Sequence, residues 1–204
     1  MNLVLALIAL GISVIMHEYM HGWTAEKFGD STARIAGRLT FNPLAHIDPL
    51  GSILLPLLLA WQHLPILGWA KPVPVNFNAL RNPKRDMIWV GLAGPAINMV
   101  IAIIGSLILR TGIVNPSSLL ETFLMNLVVI NLVLGIFNLI PIPPLDGSRV
   151  VMGILPDRIS YEYAKLERFG FFIIIILLYM GVLSNFLMPI VNWLTTIFLG
   201  HSYM

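Results

Sequence analysis

NLVLALIALGISVIMHEYMH, residues 2–21, decides how the rest of the chain is to be read. Residues 1–16 carry no charge, and two histidines and a glutamate then arrive within five positions. A helix needs roughly 20 apolar residues to cross the hydrocarbon of a bilayer, and this stretch with its continuation supplies them. On such a helix His17 and His21, four apart, project from one face about a turn from each other and can grip one ion. Glu18, beside the first of them, is placed to hold a water at that ion and to take its proton. Charged groups at membrane depth cost at least about 2.5–3.5 kcal/mol each on insertion scales, so the cluster reads as a functional site rather than a solvated helix face.

The composition supports a membrane setting. Of the 204 residues 57% are hydrophobic and 11% charged, and the mean hydropathy is +0.86; a soluble domain carries about 25% charged residues. The surplus apolar surface needs lipid to cover it. The expected fold class is an all-α polytopic membrane protein with about five to six membrane segments and a small re-entrant or β-like insertion between the first two core helices. Residues 1–204 are expected to form a single membrane-embedded domain, with its core at 2–150 and C-terminal helices at 160–200. The formal net charge of +2 is small, and the basic residues lie scattered in loops without the aromatic interleaving of a nucleic-acid surface. With no cysteine, disulfides and thiolate metal sites are excluded, and any metal must be held by His, Asp or Glu. The N-terminal run lacks a basic n-region and a small-residue cleavage site, so it is expected to be retained.

Helix 1 is expected over 2–28, ending at Gly29-Asp30-Ser31. Residues 33–42 alternate loosely and suggest a short strand. Residues 49–67 are apolar but interrupted by Gly51, Pro56 and Pro65. In KPVPVNFNAL, residues 71–80, Pro72 and Pro74 share one parity and remove donors from one edge, which predicts an edge strand open to pairing on its other side. Such an edge could receive an extended substrate by main-chain hydrogen bonds. Spanning helices are expected at 87–109, 119–140 and 169–183, with a further apolar stretch at 188–200. PIPPLDG, residues 141–147, cannot be regular helix because proline lacks the donor and fixes the backbone.

A catalytic zinc takes three protein ligands and keeps a position open. His46, His63, His201 and Asp146 are the candidates for the third. Asp146 is the best placed, as an acid at the mouth of a membrane segment in irregular backbone, which is tolerated at that depth only where it is buried in protein or lines a wet cavity. A plain turn at Asp146-Gly147 is the other reading.

HEYMH, GLAGPAIN and NLIPIPPLDG, in that order, resemble the motifs of the site-2 protease family of intramembrane zinc metalloproteases over about residues 10–150. FNPLAHIDPLGSILLP with GWAKPVPVN resembles the short bacterial branch, without PDZ or CBS domains. The resemblance implies that His17, His21 and Asp146 hold one zinc ion per chain, that Glu18 is the general base, and that Asn138 helps to stabilise the oxyanion. It also implies hydrolysis of a peptide bond in or near a transmembrane segment of a membrane-protein or peptide substrate. Interhelical hydrogen bonding is the alternative reading for Asn138, and for Asn98 and Asn131. Two other classes stay open: a membrane metal-binding protein without hydrolytic activity, and a transporter whose His and Asp line a polar path.

If Asp146 is to meet His17 and His21, the C-terminal ends of the first helix and of the helix before PIPPLDG must share one side of the membrane. Residues 49–67 must then dip in and return. All twelve basic residues except Arg110 fall on that side, which marks it as cytoplasmic. The expectation is a multi-pass protein of the cell membrane, its site opening toward the cytoplasm and lipid its standing partner.

Overall fold

The computed structural model describes residues 2–54, 58, 61 and 70–200. In chain order its helices are α1 (Leu3–Lys27), α2 (Thr32–Ile35), α3 (Pro83–Arg110), α4 (Leu119–Asn138), α5 (Asp146–Ile154), α6 (Asp157–Ala164), α7 (Glu167–Tyr179) and α8 (Val182–Leu199). Their ends follow local chemistry. The Asn2 side chain accepts from the Val4 amide at 3.2 Å to start α1. Pro83 opens α3, at a position where its missing donor costs nothing. Ser118 accepts from the Glu121 amide at 3.1 Å while the Glu121 carboxylate reaches back to the Ser117 amide, a capping arrangement that begins α4.

Among the described residues four helices, α1, α3, α4 and α8, are long and apolar enough to cross a membrane. Their burial is inverted relative to a soluble bundle. The inward face of α1 carries Ala6, Ala9, Ser13, His17, His21 and Ala25, whereas Leu3, Leu7, Ile8 and Leu10 face outward. Hydrophobicity does not drive association between helices in lipid, so small residues that let backbones approach occupy the contacts. α3 is the central helix, packing on α1, α4 and α5, and α4 also packs on α1 and α8. Ala102, Val128, Leu132 and Leu199 form one buried cluster where α3, α4 and α8 meet. Asn131 of α4 donates to the Ser13 hydroxyl of α1 at 2.7 Å, deep in the bundle, which matches the interhelical reading of that residue.

The regular structure among the described residues is all-helical, as the composition implies, but four local expectations are corrected. No strand occurs among the described residues. At 33–42 the Asp30 carboxylate accepts from both the amide and the hydroxyl of Thr32, which starts the helical turn α2 instead. Residues 71–76 form no ladder, because their amides are taken singly: Lys71 donates to the His46 carbonyl at 2.9 Å, Val73 to Glu18 at 2.7 Å and Asn76 to Asp30 at 2.7 Å. The expected span at 169–183 is instead α7, of 13 residues, which ends at Tyr179. At 1.5 Å per residue that is about 20 Å, short of the roughly 30 Å hydrocarbon. Gly181, at φ 73°, then turns the chain into α8, so the last segment starts at Val182 rather than 188. Of the expected re-entrant stretch, Pro49–Leu54 is a short π-helical turn, and 55–57, 59–60 and 62–69 lie outside the described residues.

Candidate metal centre

The site lies where α1, α3 and the start of α5 converge. The helical spacing of HEYMH puts His17 and His21 on one face of α1, with their Nε2 atoms 3.0 Å apart. Both rings are oriented from α3. His21 Nδ1 lies 2.7 Å from the Val90 carbonyl, which can only accept, so Nδ1 carries the proton and Nε2 keeps its lone pair. His17 Nδ1 faces the Asn98 side-chain amide at 3.2 Å, while Asn98 Oδ1 is buried without a partner. The two ends of an amide are assigned only from the hydrogen-bond network. Rotating Asn98 by half a turn lets Oδ1 accept from His17 Nδ1–H, and frees the Nε2 lone pair as in His21.

Asp146 arrives from the other direction. The irregular turn after α4 is closed by Ile142 donating to the Ile140 carbonyl at 2.8 Å and Leu145 to that of Ile142 at 2.9 Å. α5 begins at Asp146 itself, so Asp146-Gly147 opens a helix and is not an isolated turn. Gly147 is required there, because a Cβ would stand 2.1 Å from the Leu139 carbonyl oxygen. Asp146 Oδ2 lies 3.0 Å from His17 Nε2 and 3.2 Å from His21 Nε2.

These three atoms are the grouping of His, Asp and Glu that could hold a metal ion among the described residues. The site passes a chemical test of fit. Oδ2 is buried and receives no hydrogen bond, and with both histidines protonated on Nδ1 three lone pairs point at one another. Such an arrangement calls for a cation between them. Atoms about 2.0–2.1 Å from a shared tetrahedral zinc stand about 3.3–3.4 Å apart, close to the separations observed. Gly94 of α3 closes one side: a Cβ there would lie 2.4 Å from His21 Nε2 and 2.6 Å from His17 Nε2. Glu18 stands outside the trio, its Oε2 accepting from the Val73 amide at 2.7 Å.

The other sequence candidates are placed elsewhere. Asn138 donates to the Leu134 carbonyl of its own helix at 2.9 Å. His46 is buried with Nε2 2.9 Å from the Thr40 carbonyl. His63 and His201 lie outside the described residues. Sequence reasoning missed the Val90 carbonyl and Gly94, and read Asn98 as an interhelical hydrogen-bonding residue without naming His17 as its partner. GLAGPAIN did hold a signal, since Gly94 and Asn98 are four apart on the face of α3 that meets α1. Partners of metal-binding histidines typically carry 10- to 100-fold of metal affinity. Asn98→Ala is therefore expected to weaken zinc binding by about that factor, as read by competition with a chromogenic chelator.

Comparison with known proteins agrees with this architecture. A model of peptidase family M50 matches residues 111–181, the part that carries Asp146. YwhC of Bacillus subtilis, whose name describes a zinc metalloprotease, is 37% identical over 192 residues, covering 91% of this chain and 84% of that one. The chain belongs to peptidase family M50. M50 is the site-2 protease family of zinc metalloproteases, in agreement with the resemblance read from the three motifs. Rip2 of Mycolicibacterium smegmatis is 33% identical over 187 residues, covering 89% of this chain and 69% of that one. MJ0392 of Methanocaldococcus jannaschii is 29% identical over 181 residues, covering 87% and 42%. Both names likewise describe zinc metalloproteases. No solved structure gives a significant match. For an M50 peptidase, α1 and α5 carry the groups expected to hold metal, and α3 carries their supports.

Proposed function

We propose that His17, His21 and Asp146 hold one zinc ion, and that this M50 peptidase hydrolyses a peptide bond in or near a transmembrane segment of a membrane-protein substrate with Glu18 as general base. The observation that carries the reading is the convergence of His17 Nε2, His21 Nε2 and Asp146 Oδ2, the last buried without a hydrogen bond, with a carboxylate one residue from the first of them. When bound there, zinc supplies a Lewis acid that polarises the scissile carbonyl and acidifies water. Glu18 takes the proton of the attacking water and returns it to the leaving amine. Val90 and Asn98 keep each histidine in the tautomer that leaves Nε2 free. Asn138 gives one of its two amide hydrogens to the Leu134 carbonyl, and the second is the one left to serve an oxyanion.

The position of the trio supports a membrane substrate. Its two histidines lie on the apolar spanning helix α1 near the C-terminal end, against α3, so a substrate span can approach from lipid and needs to unwind only locally. The end of the bundle bearing Lys27 and Arg34 is assigned to the cytoplasm from the distribution of basic residues. Because the chain has no cysteine, a membrane-impermeant maleimide applied outside intact cells should label Asn115→Cys and leave Ser31→Cys unlabelled. The opposite pattern would reverse the orientation.

The activity is tested with a doubly tagged single-span protein whose apolar segment carries a Gly-Pro step, mixed with purified peptidase in detergent. The expected result is one new pair of fragments, lost on treatment with a strong zinc chelator and restored by added zinc. Cleavage indifferent to chelation, or purified protein without metal under non-chelating conditions, would overturn the zinc-protease reading.

A further inference from the structure

KPVPVN, residues 71–76, acquires a purpose once its contacts are followed. It carries no regular secondary structure, and Pro72 and Pro74 have no amide hydrogen, so Val73 is the donor left between them. That amide meets Glu18 Oε2 at 2.7 Å. The Val73 side chain is buried against the backbone of α1 at Gly22, where a Cβ would come within 2.8 Å of Val73 Cγ1. The two peptide units before Val73 are gripped by Arg38, whose guanidinium donates to the Lys71 carbonyl at 2.6 Å and the Pro72 carbonyl at 3.3 Å. The Lys71 amide closes the strap on the His46 carbonyl at 2.9 Å.

Arg38 is an unusual group to spend on two carbonyls. It is 9% exposed, its Nε is buried without a partner, and no carboxylate pairs with it among the described residues. A buried guanidinium without an ion pair costs stability, and a neutral loop contact would hold a surface segment at less cost. The benefit falls on the atom at the end of the chain of contacts, the Glu18 carboxylate.

We propose that Arg38 is a positioning residue for Glu18, acting through the 71–73 backbone so that the Val73 amide fixes Oε2 and leaves Oε1 for the substrate water. The inference rests on the reading of Glu18 as general base. A free glutamate on a helix samples several rotamers, and a fixed donor selects one of them without adding a charge next to the metal.

Two measurements on the full-length protein test it. The first is hydrogen exchange of the Val73 amide, followed by mass spectrometry with residue-level fragmentation in parent, Glu18→Ala and Arg38→Ala. Protection is expected in the parent and lost in both variants; unchanged protection in Glu18→Ala would remove the contact. The second is cleavage of the tagged single-span protein. Arg38→Ala is expected to keep its zinc and lose kcat by about 10- to 100-fold, the range for groups that orient a functional side chain, with KM little changed. Arg38→Lys, able to reach one carbonyl, should recover part of the loss. If Arg38→Ala fails to fold, Val73→Pro and Val73→Ala decide the matter: deletion of the amide should cost more kcat than trimming of the side chain, and equal losses would overturn the proposal. No cleavage by the parent would defeat the protease reading itself, whereas lost protection with unaltered kcat would defeat only the positioning role.

Discussion

Gly94→Ala protein is expected to purify without bound zinc and without cleavage activity, although it changes no ligand. The added methyl would stand 2.4 Å from His21 Nε2 and 2.6 Å from His17 Nε2, well inside contact distance of the atoms that face the ion. α3 cannot simply retreat, because the same helix accepts the His21 hydrogen bond at Val90 and packs on α4 at its far side. Nor can the histidines swing aside without giving up Val90, Asn98 and their approach to Asp146. The fold should survive, since overpacking costs about 1–3 kcal/mol and alanine is the better helix former. Gly11→Ala, with no atom within 4 Å of the new methyl, is the matched control and should keep full metal and activity. Zinc per chain by mass spectrometry, alongside thermal unfolding, checks the result. A full complement of zinc in Gly94→Ala would mean that the ion is not held between α1 and α5.

Glu18→Gln should give the opposite dissociation, with zinc retained and chemistry lost. Glutamine has nearly the same shape, and its carbonyl oxygen can still accept from the Val73 amide, so the strap and the metal trio remain in place. It cannot take a proton from water at neutral pH. A positioned general base contributes about 10²- to 10⁴-fold, so kcat should fall by that factor, about 3–5 kcal/mol in barrier. Activity within tenfold of the parent would remove Glu18 from the role of base. The two variants together separate holding the metal from using it.

The readings that held depended on patterns that survive in one dimension. Residues four apart on a helix share a face wherever that helix lies, so HEYMH announced a paired histidine site from spacing alone. Apolar length and the absence of cysteine likewise confined the chain to lipid and its ligands to His, Asp or Glu. Local chemistry reads Asp146 either as a ligand or as part of a turn, the resemblance makes it a ligand, and α5 starting at that residue brings it to the pair. The strand expected within 71–80 failed for a physical reason, and Phe77–Ala79 forms a short helical turn instead. The prolines remove two donors, and the amides of Lys71, Val73 and Asn76 are taken by carboxylates and a carbonyl from elsewhere, Val73 by Glu18 at a separation of 55 residues. Proline parity shows which donors remain and carries no information about what will meet them.

By itself, then, the sequence determined an all-helical membrane protein with a histidine pair and a neighbouring carboxylate on its first helix, because hydropathy and helical period are local properties. Only the tertiary structure decided that Gly94 has no room for a side chain, that Val90 and Asn98 meet the Nδ1 atoms of the two histidines, and that Arg38 reaches Glu18 through the backbone of another segment. Each of these depends on the distance between elements far apart in the chain, and such distances are set by packing over the whole bundle.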